Sequence, residues 1–67
     1  MPQGTVKWFN EDREFGMIAA ADGGPDLLVE GIDVLDRHSA ELYSGQPVEF
    51  EVAVWPKGPQ ALRVRPS

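Results

Sequence analysis

Turn-forming clusters interrupt this chain at short intervals: Asn10-Glu11-Asp12, Asp22-Gly23-Gly24-Pro25, Ser44-Gly45 and Pro56-Lys57-Gly58-Pro59. Glycine supplies positive φ, proline presets φ near −65°, and Asn, Asp and Ser bond to their own backbone, so each cluster reverses the chain. Between them lie short runs rich in Val, Ile, Leu and Phe. That spacing predicts an all-β chain, a meander closed into a small five-stranded antiparallel barrel. Strands are expected near Gly4–Asn10, Phe15–Ala20, Asp26–Glu30, Pro47–Val54 and Gln60–Arg65.

Side chains alternate between the two faces of a strand, so the pattern also names a core. In the fourth strand Val48, Phe50, Val52 and Val54 alternate with Glu49, Glu51 and Ala53. In the second, Ile18 points inward if Phe15 and Met17 point outward. In the third, Leu27 and Val29 share one face, and Leu28 and Glu30 the other. The expected core is Val6, Ile18, Leu27, Val29, Val48, Phe50, Val52, Leu62 and Val64. The first strand resists alternation, because Val6, Trp8 and Phe9 cannot share a face. A bulge or an outward Trp8 must resolve it. The Ile32–Tyr43 stretch reads as a long loop with a short helical turn.

Sixty-seven residues make one domain, spanning 1–67. A domain this small buries a limited share of its surface, and with no cysteine no disulfide compensates. The N-terminal Met1-Pro2-Gln3 carries neither a basic run nor an apolar segment of the secretory type, and no apolar stretch approaches a membrane span. These features read as a small soluble cytoplasmic protein with no membrane partner. The net charge of −5 opposes indiscriminate nucleic-acid binding. A local basic face remains open to the six cations Lys7, Arg13, Arg37, Lys57, Arg63 and Arg65.

The segment Gly4-Thr5-Val6-Lys7-Trp8-Phe9-Asn10, followed by Arg13-Glu14-Phe15-Gly16-Met17-Ile18, sets cations and aromatic rings on two adjacent strands. Single-stranded nucleic acid binds such surfaces, the cations following phosphates and the bases stacking on rings. The chain resembles the bacterial cold-shock domain family along its whole length. The resemblance lies in Gly4–Asn10, Phe15-Gly16 with Ile18, Asp22-Gly23-Gly24, Val48–Val52, and Pro56-Lys57-Gly58-Pro59-Gln60-Ala61 with Val64. It implies an OB-type barrel in which Trp8 and Phe15 face solvent and stack on bases, with Phe9 shared between face and core. It implies phosphate contact for Lys7 and Arg13, the latter standing where the family usually has lysine. The expected nucleic-acid-binding set is Lys7, Trp8, Phe9, Arg13, Phe15, Met17, Leu28 and Lys57.

The chain departs from the family at that face. Glu14 replaces the usual glycine and Met17 a stacking phenylalanine. Leu28, Glu30 and Gly31 stand where the family carries a ring, a histidine and another ring. Each base–aromatic stack is worth about 1–3 kcal/mol. Losing three or four of them removes roughly 3–4 kcal/mol even at the low end, two to three orders of magnitude in affinity. Glu14 and Glu30 add repulsion against phosphate. Trp55 has three open roles: capping the barrel, extending the stacking surface, or touching a protein. Tyr43 reads as loop packing and His38 as a solvated loop residue near the site.

One histidine, no cysteine and no glycine-rich phosphate loop leave little material for a nucleophile–base pair or a metal cluster. The sequence therefore reads as a non-enzymatic monomer without cofactor or metal. Its partner is single-stranded RNA or DNA, bound weakly, in an RNA-chaperone or regulatory role in transcription or translation. The alternative is a protein-interaction module, with Met17, Leu28 and Trp55 as an apolar patch ringed by acid.

Overall fold

The computed structural model describes residues 2–35 and 42–67. Among these residues, five strands form β1 (Gln3–Asn10), β2 (Phe15–Ala20), β3 (Leu27–Glu30), β4 (Pro47–Trp55) and β5 (Gly58–Pro66), and a 3₁₀ turn covers Gly31–Asp33. They close into a barrel in the order β1-β2-β3-β5-β4. Every expected strand is present. Their limits move by a residue or two: β3 starts at Leu27, β4 runs on to Trp55, and β5 extends from Gly58 to Pro66. Of the Ile32–Tyr43 stretch, the portion 36–41 lies outside the described residues, His38 with it.

An odd number of strands cannot close with every neighbour antiparallel. The pairs β1–β2, β2–β3, β1–β4 and β4–β5 are antiparallel, and the closing pair β3–β5 is parallel, with Leu28 opposite Gln60 and Val29 opposite Ala61. The expectation of a five-stranded barrel holds, with this one parallel seam.

Two bulges settle which side chains face inward. Between Val6 and Trp8 the β1–β2 register slips, because Val6 pairs with Ile18 but Trp8 with Met17. Lys7 is the extra residue, and its carbonyl accepts the Ser44 hydroxyl at 3.0 Å. The bulge turns Trp8 outward and Phe9 toward the core, so the poor alternation of β1 is a real geometric feature. In β5 the register slips opposite Glu49–Glu51, and Arg63 adopts φ 51°. That extra residue lets Ala61 and Val64, three apart, both point inward.

The core comprises Val6, Ile18, Leu27, Val29, Val34, Leu42, Val48, Phe50, Ala61 and Val64. Two expected members are corrected. Leu62 is only half-buried, since the bulge at Arg63 shifts the inward position to Ala61. Val52 is 47% exposed. It pairs with Ala61 but lies beyond the end of the barrel, lining an open depression with Pro2, Ala20, Leu27 and Phe50. Val34 and Leu42, at the two ends of the loop, take up the remaining core volume. Val34 is tied there by a bridge to Val64 and by the Leu35 N–H donating to the Val64 carbonyl at 2.7 Å.

Truncating two valines tests this division. Val29→Ala should cost about 2–3 kcal/mol, from lost transfer energy plus a cavity, whereas Val52→Ala should cost under about 1 kcal/mol. Urea unfolding of both variants measures it, and equal costs would contradict the placement of Val52.

Candidate nucleic-acid interface

The outward positions of β1, β2 and β3 form one surface. Trp8, Met17 and Leu28 stand side by side in register, and the next row is Asn10, Phe15 and Glu30. Continuing across the parallel seam, Leu28 neighbours Gln60, and Gln60 neighbours Ala53 of β4. The inward partners Val6, Ile18, Leu27 and Val29 anchor these strands, so the surface is rigidly based.

Trp8 and Phe15 are the aromatic centre. Trp8 is 41% exposed. Its ring meets that of Phe15 edge to face, with centroids 5.3 Å apart and planes at 83°. This arrangement favours the positive edge of one ring over the negative face of the other, worth about 0.5–1.5 kcal/mol beyond area burial. It also fixes the two π-faces nearly at right angles. Two bases can each find a face, but not on one flat platform. Phe9 is half-buried and packs against the core. A side chain at Gly16 would collide with the Trp8 carbonyl oxygen and meet the Phe9 ring at 2.9 Å, so glycine there lets β1 and Phe9 lie close over β2.

Charge is sparse on this face. The Lys7 ammonium reaches Asp26, just before β3, at 2.8 Å. Both partners are largely solvated, so the pair is worth under about 1 kcal/mol and can open to a phosphate at small cost. Arg13 lies in the turn between β1 and β2, where its backbone N–H donates to Asn10 Oδ1 at 3.1 Å. Lys57 is exposed in the turn between β4 and β5. Neither forms an ion pair with another described residue, whereas Arg63 and Arg65 are paired with Glu51 and Glu49 across the β4–β5 hairpin.

Trp55 is 45% exposed and is no buried cap on the barrel. Its indole Nε1–H donates to Gln60 Oε1 at 2.9 Å. The Gln60 amide in turn donates to Glu30 Oε1 at 3.0 Å and to Asp33 Oδ2 at 3.4 Å. Gln60 is 6% exposed although it sits on the outer face. Sequence reading gave neither Gln60 nor Asp26 a part in the site. The turn at 56–59 places Trp55 and Gln60 on adjoining arms of a hairpin and so hints at their contact. Nothing local signals the approach of Glu30, which needs the parallel seam.

The turn into β2 carries an unusual pair. Glu14 has φ 56°, a left-handed conformation that costs a non-glycine residue about 1–2 kcal/mol. Its carbonyl accepts the Gly31 N–H at 2.7 Å. A Cβ on Gly31 would meet Glu14 Oε1 at 2.8 Å and Glu14 Cβ at 2.9 Å. The bulk expected at 31 from the family resemblance is thus supplied by the side chain of 14, and the glycine has moved across to 31. The two departures from the family pattern are sterically coupled.

Among the described residues no group of three or more His, Cys, Asp or Glu side chains is placed to hold a metal ion. No helix there is long and apolar enough to cross a membrane.

Comparison with known proteins agrees with this geometry. Residues 2–67 match the family model described as the 'Cold-shock' DNA-binding domain. The chain is 51% identical over 65 residues to the probable cold shock protein A of Mycolicibacterium smegmatis, covering 97% of each chain. It is 42% identical over 67 residues to the cold shock protein ScoF of Streptomyces coelicolor, covering all of both. The solved structure of the Drosophila Unr segment CSD456 superposes with a TM-score of 0.81 at 29% identity, over 98% of this chain and 26% of that one. The chain belongs to the cold-shock domain family.

The coupling of Glu14 to Gly31 has a measurable consequence. Gly31→Ala alone should destabilise by about 1–3 kcal/mol through overpacking. In a Glu14→Gly background the cost should fall, giving a coupling energy of about 0.5–3 kcal/mol in a double-mutant cycle. Additive costs in thermal or urea unfolding would show that the two sites are independent.

Proposed function

We propose that this protein is a non-enzymatic, monomeric, cytoplasmic binder of single-stranded RNA or DNA, with weaker affinity than a family member carrying the full set of rings. An RNA-chaperone role, or regulation of transcription or translation, is the setting such binding suits. The observation that carries the reading is the Trp8–Phe15 ring pair on the outer face, with Trp8 exposed and Phe15 half-buried, backed by Met17 and Leu28 in register. Rings supply stacking, and the relatives named above are cold shock proteins. Lys7, Arg13 and Lys57 are the phosphate contacts in this reading, with Phe9 a minor ring at the edge of the core.

The proposed weakness has a physical basis in the same surface. Met17 and Leu28 offer apolar contact but no π-face. Glu30 places a carboxylate beside Phe15, in the same register row. Only a few cations are available for phosphates, and one of them is held by Asp26.

Titrating pyrimidine-rich oligonucleotides while following Trp8 and Trp55 fluorescence tests the reading. Binding should be measurable at low salt. With about three phosphate contacts, the slope of log K against log salt should be shallow, near −2. The revertant Glu14→Gly, Met17→Phe, Leu28→Phe, Glu30→His should bind about 100- to 1000-fold tighter. A revertant no tighter than the parent would refute the idea that these positions weaken the site. An absence of binding by either form at low salt would favour a protein partner for the Met17, Leu28 and Trp55 surface instead.

A further inference from the structure

We propose that Glu30 is a base-reading residue, and that it selects guanine from a single strand lying across Phe15 and Trp55. The inference rests on the proposed single-strand binding and names the base class that binding would prefer.

The starting point is the hydrogen-bonding capacity left on the surface. Gln60 is engaged through both its polar atoms: its carbonyl accepts the Trp55 indole N–H, and its amide is given to Glu30 and Asp33. Trp55 has spent its one donor on Gln60, so toward a ligand it offers only its π-face. Phe15 and Leu28, the register neighbours of Glu30 and Gln60, have no polar side-chain group. The Glu30 carboxylate is different. It is half-buried, and among the described residues it is held by Gln60 through Oε1, while an ionised carboxylate has about four lone-pair sites on two oxygens. It is an acceptor, fixed in place, between two aromatic side chains.

An acceptor-only group discriminates among bases by where they carry N–H donors. Unstacked bases in single strands are read on their Watson–Crick edges. Uracil and thymine present one N–H there, flanked by two carbonyl oxygens that repel a carboxylate. Cytosine and adenine present one amino group beside a bare ring nitrogen, again an acceptor facing an acceptor. Guanine alone presents two adjacent, parallel donors, N1–H and the N2 amino group. Those two donors match the two oxygens of a carboxylate, as the forked donors of arginine do. The Gln60 tether restricts the Glu30 rotamers, so less freedom is lost when the base docks. The repulsion that Glu30 exerts on phosphates is unchanged by this pairing. Glu30 therefore lowers affinity for strands without guanine and returns part of it where a guanine is present.

The test uses the whole protein and three RNA heptamers at one moderate salt concentration: all uridine, uridine with a central guanosine, and uridine with a central inosine. Inosine keeps N1–H and lacks the N2 amino group. The guanosine heptamer should bind about fivefold tighter than all-uridine, a difference of about 1 kcal/mol. Inosine should lose most of that gain. Glu30→Gln keeps an acceptor for Gln60, so the fold and the Trp55 contact should persist, as a fluorescence spectrum of the free protein will report. In that variant the guanosine preference should vanish while all-uridine binding tightens, and the tightening should shrink as salt screens the lost charge. Equal affinity of the parent for all three heptamers, or a guanosine preference that survives Glu30→Gln, would overturn the assignment of Glu30 alone. Failure of every heptamer to bind at low salt would overturn it together with the single-strand reading.

Discussion

The parallel seam between β3 and β5 is the constraint on which the rest of the molecule depends. Without it, β3 and β5 would each present an open edge, and the four-residue β3 would be paired on one side only, with β2. With it, Val29 meets Ala61 and both are wholly buried. A 67-residue chain without disulfides has few such burials to spare. The same seam sets Gln60 beside Leu28 and within reach of Glu30. Closure of the barrel and assembly of the polar network at the outer face are thus one structural event.

The bulges at Lys7 and Arg63 are the means by which a short sequence serves both a core and a surface. A perfectly alternating β1 would have sent Trp8 and Val6 to the same side. The extra residue at Lys7 reverses the phase, so Trp8 joins Met17 on the outside while Phe9 turns to the core. At Arg63 a left-handed residue does the same for β5, at some conformational cost to a side chain that is not glycine. Glu14 carries a similar cost immediately before Phe15. Of these two strained residues, Arg63 sets the inward phase of β5 and Glu14 leads directly into Phe15 of the outer face.

Electrostatically the face is unlike that of a strongly basic binder. Its central lysine is already engaged by Asp26, and a carboxylate stands in the ring row at Glu30. In the proposed reading, affinity comes mainly from stacking and apolar contact, and the charges would sort ligands. The network Trp55–Gln60–Glu30 gives that sorting a fixed geometry, because each polar group in it restricts the next. Trp55, at the β4–β5 turn, is joined to the Phe15–Glu30 row through Gln60.

Much of this was legible in the sequence by itself. Turn chemistry at 10–12, 22–25, 44–45 and 56–59 determined five strands, and alternation determined seven of the ten core residues, from Val6 to Val64. The outward placement of Trp8, Phe15, Met17, Leu28 and Glu30 followed from the same alternation and from likeness to the family. Such features are local: a turn or a period of two is written in adjacent residues. What only the tertiary structure decided is everything that depends on one strand slipping past another. The inward phase of β5, and with it the exchange of Leu62 for Ala61, came from a bulge matched to β4. The exposure of Val52 came from where the barrel ends. The engagement of Lys7 by Asp26, the exchange of bulk between Glu14 and Gly31, and the hold of Gln60 on Glu30 and Trp55 each join residues brought together by strand pairing. Register is a property of two strands at once, and no single stretch of sequence contains it.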